Sequence, residues 1–110
     1  MVRQALDAVC ETFEGCETLA YADLSTQLVL ATNGNNTQAQ DGLNALCEEA
    51  ALMLDGGHIG IVGTQTGFRL FLRDFDEPND GLICLCTLQT DMDGLLPAAR
   101  KCLSQIASGG

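Results

Sequence analysis

Basic residues are scarce in this chain. Arg3, Arg69, Arg73, Arg100 and Lys101 stand against 15 acids, for a formal net charge of −10. With no basic stripe to offset that charge, phosphate backbones and anionic membrane surfaces are repelled, so no nucleic acid partner is expected. Such a balance serves solubility first and leaves a basic protein admissible as a partner. Long hydrophobic runs are missing too. None approaches the ~20 residues needed to cross a bilayer, so no membrane insertion is expected. The opening MVRQALDAVCETFE carries acids inside its apolar pattern and does not read as a signal peptide. The expected location is therefore cytoplasmic.

Chemistry-bearing constellations are equally thin. His58 is the only histidine, so a conventional zinc site would need to be nearly all thiolate. A Cys–His nucleophile would have to use that same residue, which opens a short strand beside Gly56-Gly57 and reads as a surface histidine at a strand end. The glycine-rich pieces Asp55-Gly56-Gly57-His58 and Gly63-Thr64-Gln65-Thr66-Gly67 lack the lysine and spacing of a phosphate-binding loop. They read as a helix cap and a turn. No two carboxylates fall in an apolar setting suited to acid–base work. No catalytic residue, cofactor or metal is expected.

Cysteine, by contrast, is plentiful: Cys10, Cys16, Cys47, Cys84, Cys86 and Cys102. In an exported chain an even count would suggest disulfides, but nothing here signals export. Several occupy apolar helix or strand positions, where a free thiol behaves as a small hydrophobe. Cys84 and Cys86 lie two apart on a strand and so share a face, which is not the CxxC spacing of a redox or zinc site. Packing is the expected role, with redox or metal chemistry as the alternative.

The 110 residues, 46% hydrophobic and 18% charged, fit one globular domain spanning 1–110. A chain of this length buries roughly two-thirds of its unfolded surface. Apolar periodicity predicts a helix from Met1 to Glu14 through Val2, Ala5, Leu6, Val9 and Phe13, ended by Gly15. CETLAYADLSTQLVLATN predicts a β-hairpin with a turn at Asp23 to Thr26. His58 to Val62 and Phe68 to Arg73 predict two more strands around a glycine-flanked turn. Phe68, Leu70 and Leu72 alternate with Arg69, Phe71 and Arg73, so one face is core and the other partly wet. Arg69 and Arg73 are expected to pair with nearby acids. After an acidic loop from Asp74 to Gly81, Leu82 to Leu88 is apolar on both faces, as in a central strand covered on both sides. Asp91 to Ala107 closes the chain as a helix with Leu95, Leu96, Ala99, Cys102, Leu103 and Ile106 inward. Pro97 sets its regular start near Leu96, since an interior proline removes a hydrogen bond. The fold class is α+β, in the order α-β-β-α-β-β-β-α, with helices enough for both faces of a mostly antiparallel five-stranded sheet.

The stretch from Gln38 to Gly57 organises the rest. Ala39, Leu43, Leu46, Cys47, Ala50, Met53 and Leu54 recur at helical spacing. Ala45 and Leu52 lie one heptad apart on nearly the opposite side, with Asn44, Glu48 and Glu49 between the two stripes. A helix apolar on two sides wants two partners. One is the chain's own sheet, and the other can be a second chain.

Together these stretches resemble the roadblock/dynein light chain family. AYADLSTQLVLATN resembles its first two strands, LNALCEEAALMLDG its long second helix, GFRLFLRDF and GLICLCTL its last two strands. The turn at Asp23 to Thr26 lacks the glycine common there. The resemblance implies a profilin-like sheet with the third strand at one edge, one helix on one face and the two terminal helices on the other. It implies a homodimer in which central helices pack antiparallel and edge strands pair, placing Ala45, Glu49, Leu52, His58, Ile59, Ile61 and Val62 in the interface. It further implies a non-enzymatic scaffold or regulator acting on a small Ras-like GTPase, or an adaptor. The alternatives are a PAS-like small-ligand or redox sensor and a small cysteine-based redox enzyme.

Overall fold

The computed structural model describes residues 2–109. Within them lie α1 (Val2–Thr12), β1 (Cys16–Asp23), β2 (Leu28–Thr32), α2 (Gln40–Met53), β3 (Ile59–Gly63), β4 (Gly67–Arg73), β5 (Asp80–Thr87) and α3 (Met92–Ala107). The strands form one antiparallel sheet in the spatial order β2-β1-β5-β4-β3. β5 sits at its centre, as its two apolar faces predict, and β2 and β3 are the edges.

Two cores lie on opposite faces of this sheet. On one, Leu70, Leu72, Leu82, Cys84 and Cys86 meet Leu6 and Val9 of α1 and Leu95, Ala99, Cys102 and Leu103 of α3. On the other, Ala20, Ala22, Val29, Phe71 and Ile83 meet Leu43, Cys47 and Ala50 of α2 with Leu54 just beyond it. Each fully buried Leu, Ile or Phe contributes about 1.5–3 kcal/mol. That burial, rather than capping, holds α2: its N-cap is Ala39, with no side-chain cap bond. Phe71 is completely buried, so the face of β4 expected to be partly wet is wet only at Arg69 and Arg73.

Several boundaries differ from the sequence reading. α1 stops at Thr12, whose hydroxyl donates to the Ala8 carbonyl at 2.8 Å and so occupies the helix end. The expected start at Met1 lies outside the described residues. α2 is shorter at both ends. Ala39 is exposed at its N-cap, and Met53 is 42% exposed rather than packed with the core stripe. Leu54 caps the helix, and Gly56 at φ 72 takes the left-handed turn that the sequence predicts for a glycine there. In the β1–β2 connection Asp23 accepts from the Ser25 hydroxyl at 2.6 Å and the Ser25 amide at 3.0 Å. These bonds, the hydroxyl's first, hold its carboxyl below the ordinary value. The turn runs one residue later than expected, and Gln27 at φ 60 occupies the left-handed region where a glycine would be unstrained.

The largest correction concerns α3, which begins at Met92 with Pro97 inside it. Asp91 caps the first turn by accepting from the Gly94 amide at 3.2 Å. Pro97 forfeits one helical bond to the Asp93 carbonyl, but it is exposed, so water can serve that oxygen. Burying Leu95 on the sheet keeps the first turn helical despite the loss.

Candidate interaction surface

Among the described residues, four of the eight exposed large apolar side chains gather at the β3 border of the sheet; Leu28 and Leu30 stand on the opposite edge, β2, and Phe75 and Leu88 lie in loops. Leu52 is 79% exposed, Met53 42%, Ile59 43% and Ile61 48%. Register explains how they divide. Ile59 and Ile61 pair with Leu72 and Leu70, so they stand on the α1/α3 face of β3, beyond the reach of either helix. Gly60 and Val62 pair with Phe71 and Arg69 and face α2. Val62 packs half-buried against that core. A Cβ on Gly60 would meet the Met53 Cβ at 3.2 Å and its carbonyl oxygen at 3.3 Å, so glycine lets α2 lie this close to the edge. Leu52 and Met53 thus flank the edge strand on one face while Ile59 and Ile61 flank it on the other.

The polar members are held by their own chain. Glu49, on the outer side of α2, takes both carboxylate oxygens to Arg69 Nη1 of β4, at 2.9 and 3.2 Å. Arg69 therefore pairs with an acid as expected. Arg73 does not: its Nη1 donates to the carbonyls of Leu54 at 3.2 Å and Gly57 at 3.3 Å. Carbonyls past a helix C-terminus carry partial negative charge that a cation satisfies. Ala45 is exposed on the same outer side of α2. His58 precedes β3 and is half-buried rather than on the surface, its ring 4.5 Å from that of Phe75. Its Nδ1 is buried without a hydrogen-bond partner, as is Arg73 Nε.

Of the expected interface residues, Ala45, Leu52, Ile59 and Ile61 are exposed at this border, Glu49 and Val62 are half-exposed beside it, and His58 turns toward Phe75. Met53 belongs to the same patch. Its place three residues after Ala50 and seven after Leu46 puts it in the core stripe by sequence, but α2 ends at Met53 and leaves it exposed.

The two sheet edges are not alike. On β2 the Val29 amide donates to Asn44 Oδ1 at 3.1 Å, and the Val29 carbonyl accepts from Gln40 Nε2 at 3.3 Å. Gln40 Nε2 also donates to Asn44 Oδ1 at 3.0 Å, which joins the two α2 side chains into one clamp. Among the described residues, no side chain bonds the backbone of Ile59–Gly63. Bare strand edges bind other strands and are normally blocked.

Among the described residues no group of three or more His, Cys, Asp or Glu side chains could hold a metal ion. No helix among the described residues is long and apolar enough to cross a membrane.

An α2 on one face, two terminal helices on the other and β3 at the edge define the roadblock, profilin-like fold. The chain is similar over 96% of its length to a Roadblock/LC7 domain from Streptomyces avermitilis, with 94% of that chain covered, 11% identity and a TM-score of 0.79. Myxococcus xanthus MglB matches 99% of this chain and 96% of its own at 10% identity and TM-score 0.76. LokiProfilin1, solved in complex with rabbit actin, matches 97% and 94% at 12% identity and TM-score 0.67. No protein-family model and no curated protein matches the sequence significantly.

Proposed function

We propose that residues 1–110 are a single non-enzymatic domain that forms a homodimer and, as a dimer, binds a small Ras-like GTPase. The observation that carries the dimer is the contrast between the edges: β2 is clamped at Val29, while β3 is bare and flanked by Leu52, Met53, Ile59 and Ile61. A two-fold contact would pair the β3 strands and bring the α2 helices together, burying edge and patch at once. Beside the patch Arg69 neutralises Glu49, which lowers the repulsion in a self-contact, while Glu48 and Asp55 line a cleft next to Leu52. The GTPase reading rests on the roadblock resemblance in sequence and the shared fold. A dimer with no chemistry of its own can regulate such a partner by binding one of its nucleotide states more tightly than the other.

The test mixes the purified chain with Ras-like GTPases from its own cell, each loaded with GDP or a non-hydrolysable GTP analogue. Tighter binding to one state, with no GTP turnover by the chain alone, is the expected result. Turnover by the isolated chain overturns the non-enzymatic assignment. Failure to bind any GTPase in either state overturns the choice of partner.

A further inference from the structure

We propose that Cys10 and Cys16 form a dithiol modification site, which closes to an intramolecular disulfide by exchange with a small organic disulfide and favours a cationic one. The proposal is independent of the dimer and of any GTPase.

The geometry carries it. The two sulfurs are 3.4 Å apart, Cys10 near the end of α1 and Cys16 at the start of β1. A disulfide needs about 2.05 Å, so the pair must close by only about 1.4 Å. The residues between them lie in the turn past α1, outside the helix except for Glu11 and Thr12, and include Gly15 at φ 95. Gly15 itself is tied to β5, its carbonyl accepting from the Thr87 amide at 2.9 Å, so closure draws on Glu11 to Glu14 at the end of α1. Both cysteines also line an open cleft of about 460 Å³. Cys10 is half-buried at its wall, while Cys16 is only 7% exposed behind it. Reagent therefore reaches Cys10 first.

The steps balance. The Cys10 thiolate attacks one sulfur of the reagent and forms a mixed disulfide, releasing the other half as a thiolate. Cys16, after losing its proton, attacks Cys10 Sγ and displaces the second half. The protein loses two electrons and two protons, and the reagent disulfide is reduced to two thiols. Asp7, Glu11 and Glu17 stand around the cleft, so a cationic disulfide is drawn in and an anionic one repelled.

Other groups set the rate. The Cys16 contact, burial, and the Asp7 and Glu11 charges raise the Cys10 thiol far above its ordinary value. Contact with Cys10 lowers Cys16, but contact with Cys86 and burial outweigh it, leaving it at about 12. The thiolate is the nucleophile, so exchange is slow at neutral pH and quickens about tenfold per pH unit below those values.

The experiment treats the full chain with cystamine or glutathione disulfide, blocks free thiols and maps peptides by mass after cleavage at glutamate. Glu11 and Glu14 lie between the two cysteines, so their fragments stay together only if joined. A Cys10–Cys16 linked peptide is expected, reversed by dithiothreitol, formed faster with cystamine, the advantage shrinking as salt is raised. Cys16→Ser should stop at the mixed disulfide on Cys10. A link between Cys16 and Cys86, which face each other across β1 and β5, would overturn the proposal. So would Cys10 left free, or held only as the mixed disulfide, in the unmutated chain. Equal rates for both reagents at low salt would overturn the preference for a cation.

Discussion

Arg100 of α3 lies across the ring of Phe75, with its Cζ 4.5 Å from the ring centroid. The same guanidinium donates to the carbonyls of His58 at 3.2 Å and Arg73 at 3.4 Å. One side chain thus ties the last helix to the residue before β3 and to the end of β4. Arg100→Met keeps the apolar stem and removes the donors. It should lower unfolding free energy by about 1–2 kcal/mol, read as a shift in the urea midpoint. An unchanged midpoint would show that these contacts are idle.

Asn33 is 3% exposed and acts as a splice beyond the end of β2. Its Oδ1 accepts from the Leu19 amide at 3.0 Å and its Nδ2 donates to the Glu17 carbonyl at 3.2 Å. Asn33→Ala strips partners from two backbone groups of β1, at a cost of about 1–3 kcal/mol. Thermal unfolding should show the loss, together with faster hydrogen exchange at the Leu19 amide. Unaltered exchange at Leu19 would contradict this account.

Leu52 makes little contact with its own chain, so Leu52→Glu should leave the unfolding of the subunit within about 0.5 kcal/mol of the original. In a two-fold pair it would place like charges in the helix contact. Light scattering should therefore report a dimer for the unmutated chain and a monomer for the variant. A monomer for both would remove the dimer.

Tyr21 is the one tyrosine, so phenolate absorbance reports a single group. Burial first, then Asp80, raise it from the ordinary 10.0 to about 12. Its folded form holds the proton more tightly than the unfolded form does. The resulting stability is present below pH 10.0 and is lost as pH rises toward about 12. The raised thiols of Cys16 and Cys47 act in the same direction. Alkaline titration should show the folded phenol ionising well after the urea-unfolded one. Coincident curves would refute the shift.

The order of elements was legible because each long segment has one dominant period. β5 reads as central from Leu82 to Cys86, and α3 from Leu95 to Leu103. What escaped was decided by partners remote in sequence. Pro97 argues locally against helix, yet the Asp91 cap and the burial of Leu95 outweigh one lost bond. Arg73 reads as half of an ion pair, whereas its partners are two carbonyls past α2, which carry no sequence signal. Met53 fits the core stripe by spacing, but the helix ends there and turns it outward. Asn33 lies in a stretch that reads only as a polar connection. For the candidate surface, the outward stripe of Ala45 and Leu52 was visible in the sequence, while the inequality of the two edges depends on where Gln40 and Asn44 meet Val29.

That inequality fixes a valence. A sheet with two bare borders can add a neighbour at each and grow without limit into a fibre. Here the amides of Gln40 and Asn44 occupy the Val29 backbone, and one border is closed to addition at that point. In the proposed dimer a single adhesive border would let subunits join in pairs and then stop them, because each pair would turn its clamped borders outward. The two amides would then act as a chain terminator, and α2, which carries them, also carries Leu52 beside the β3 border.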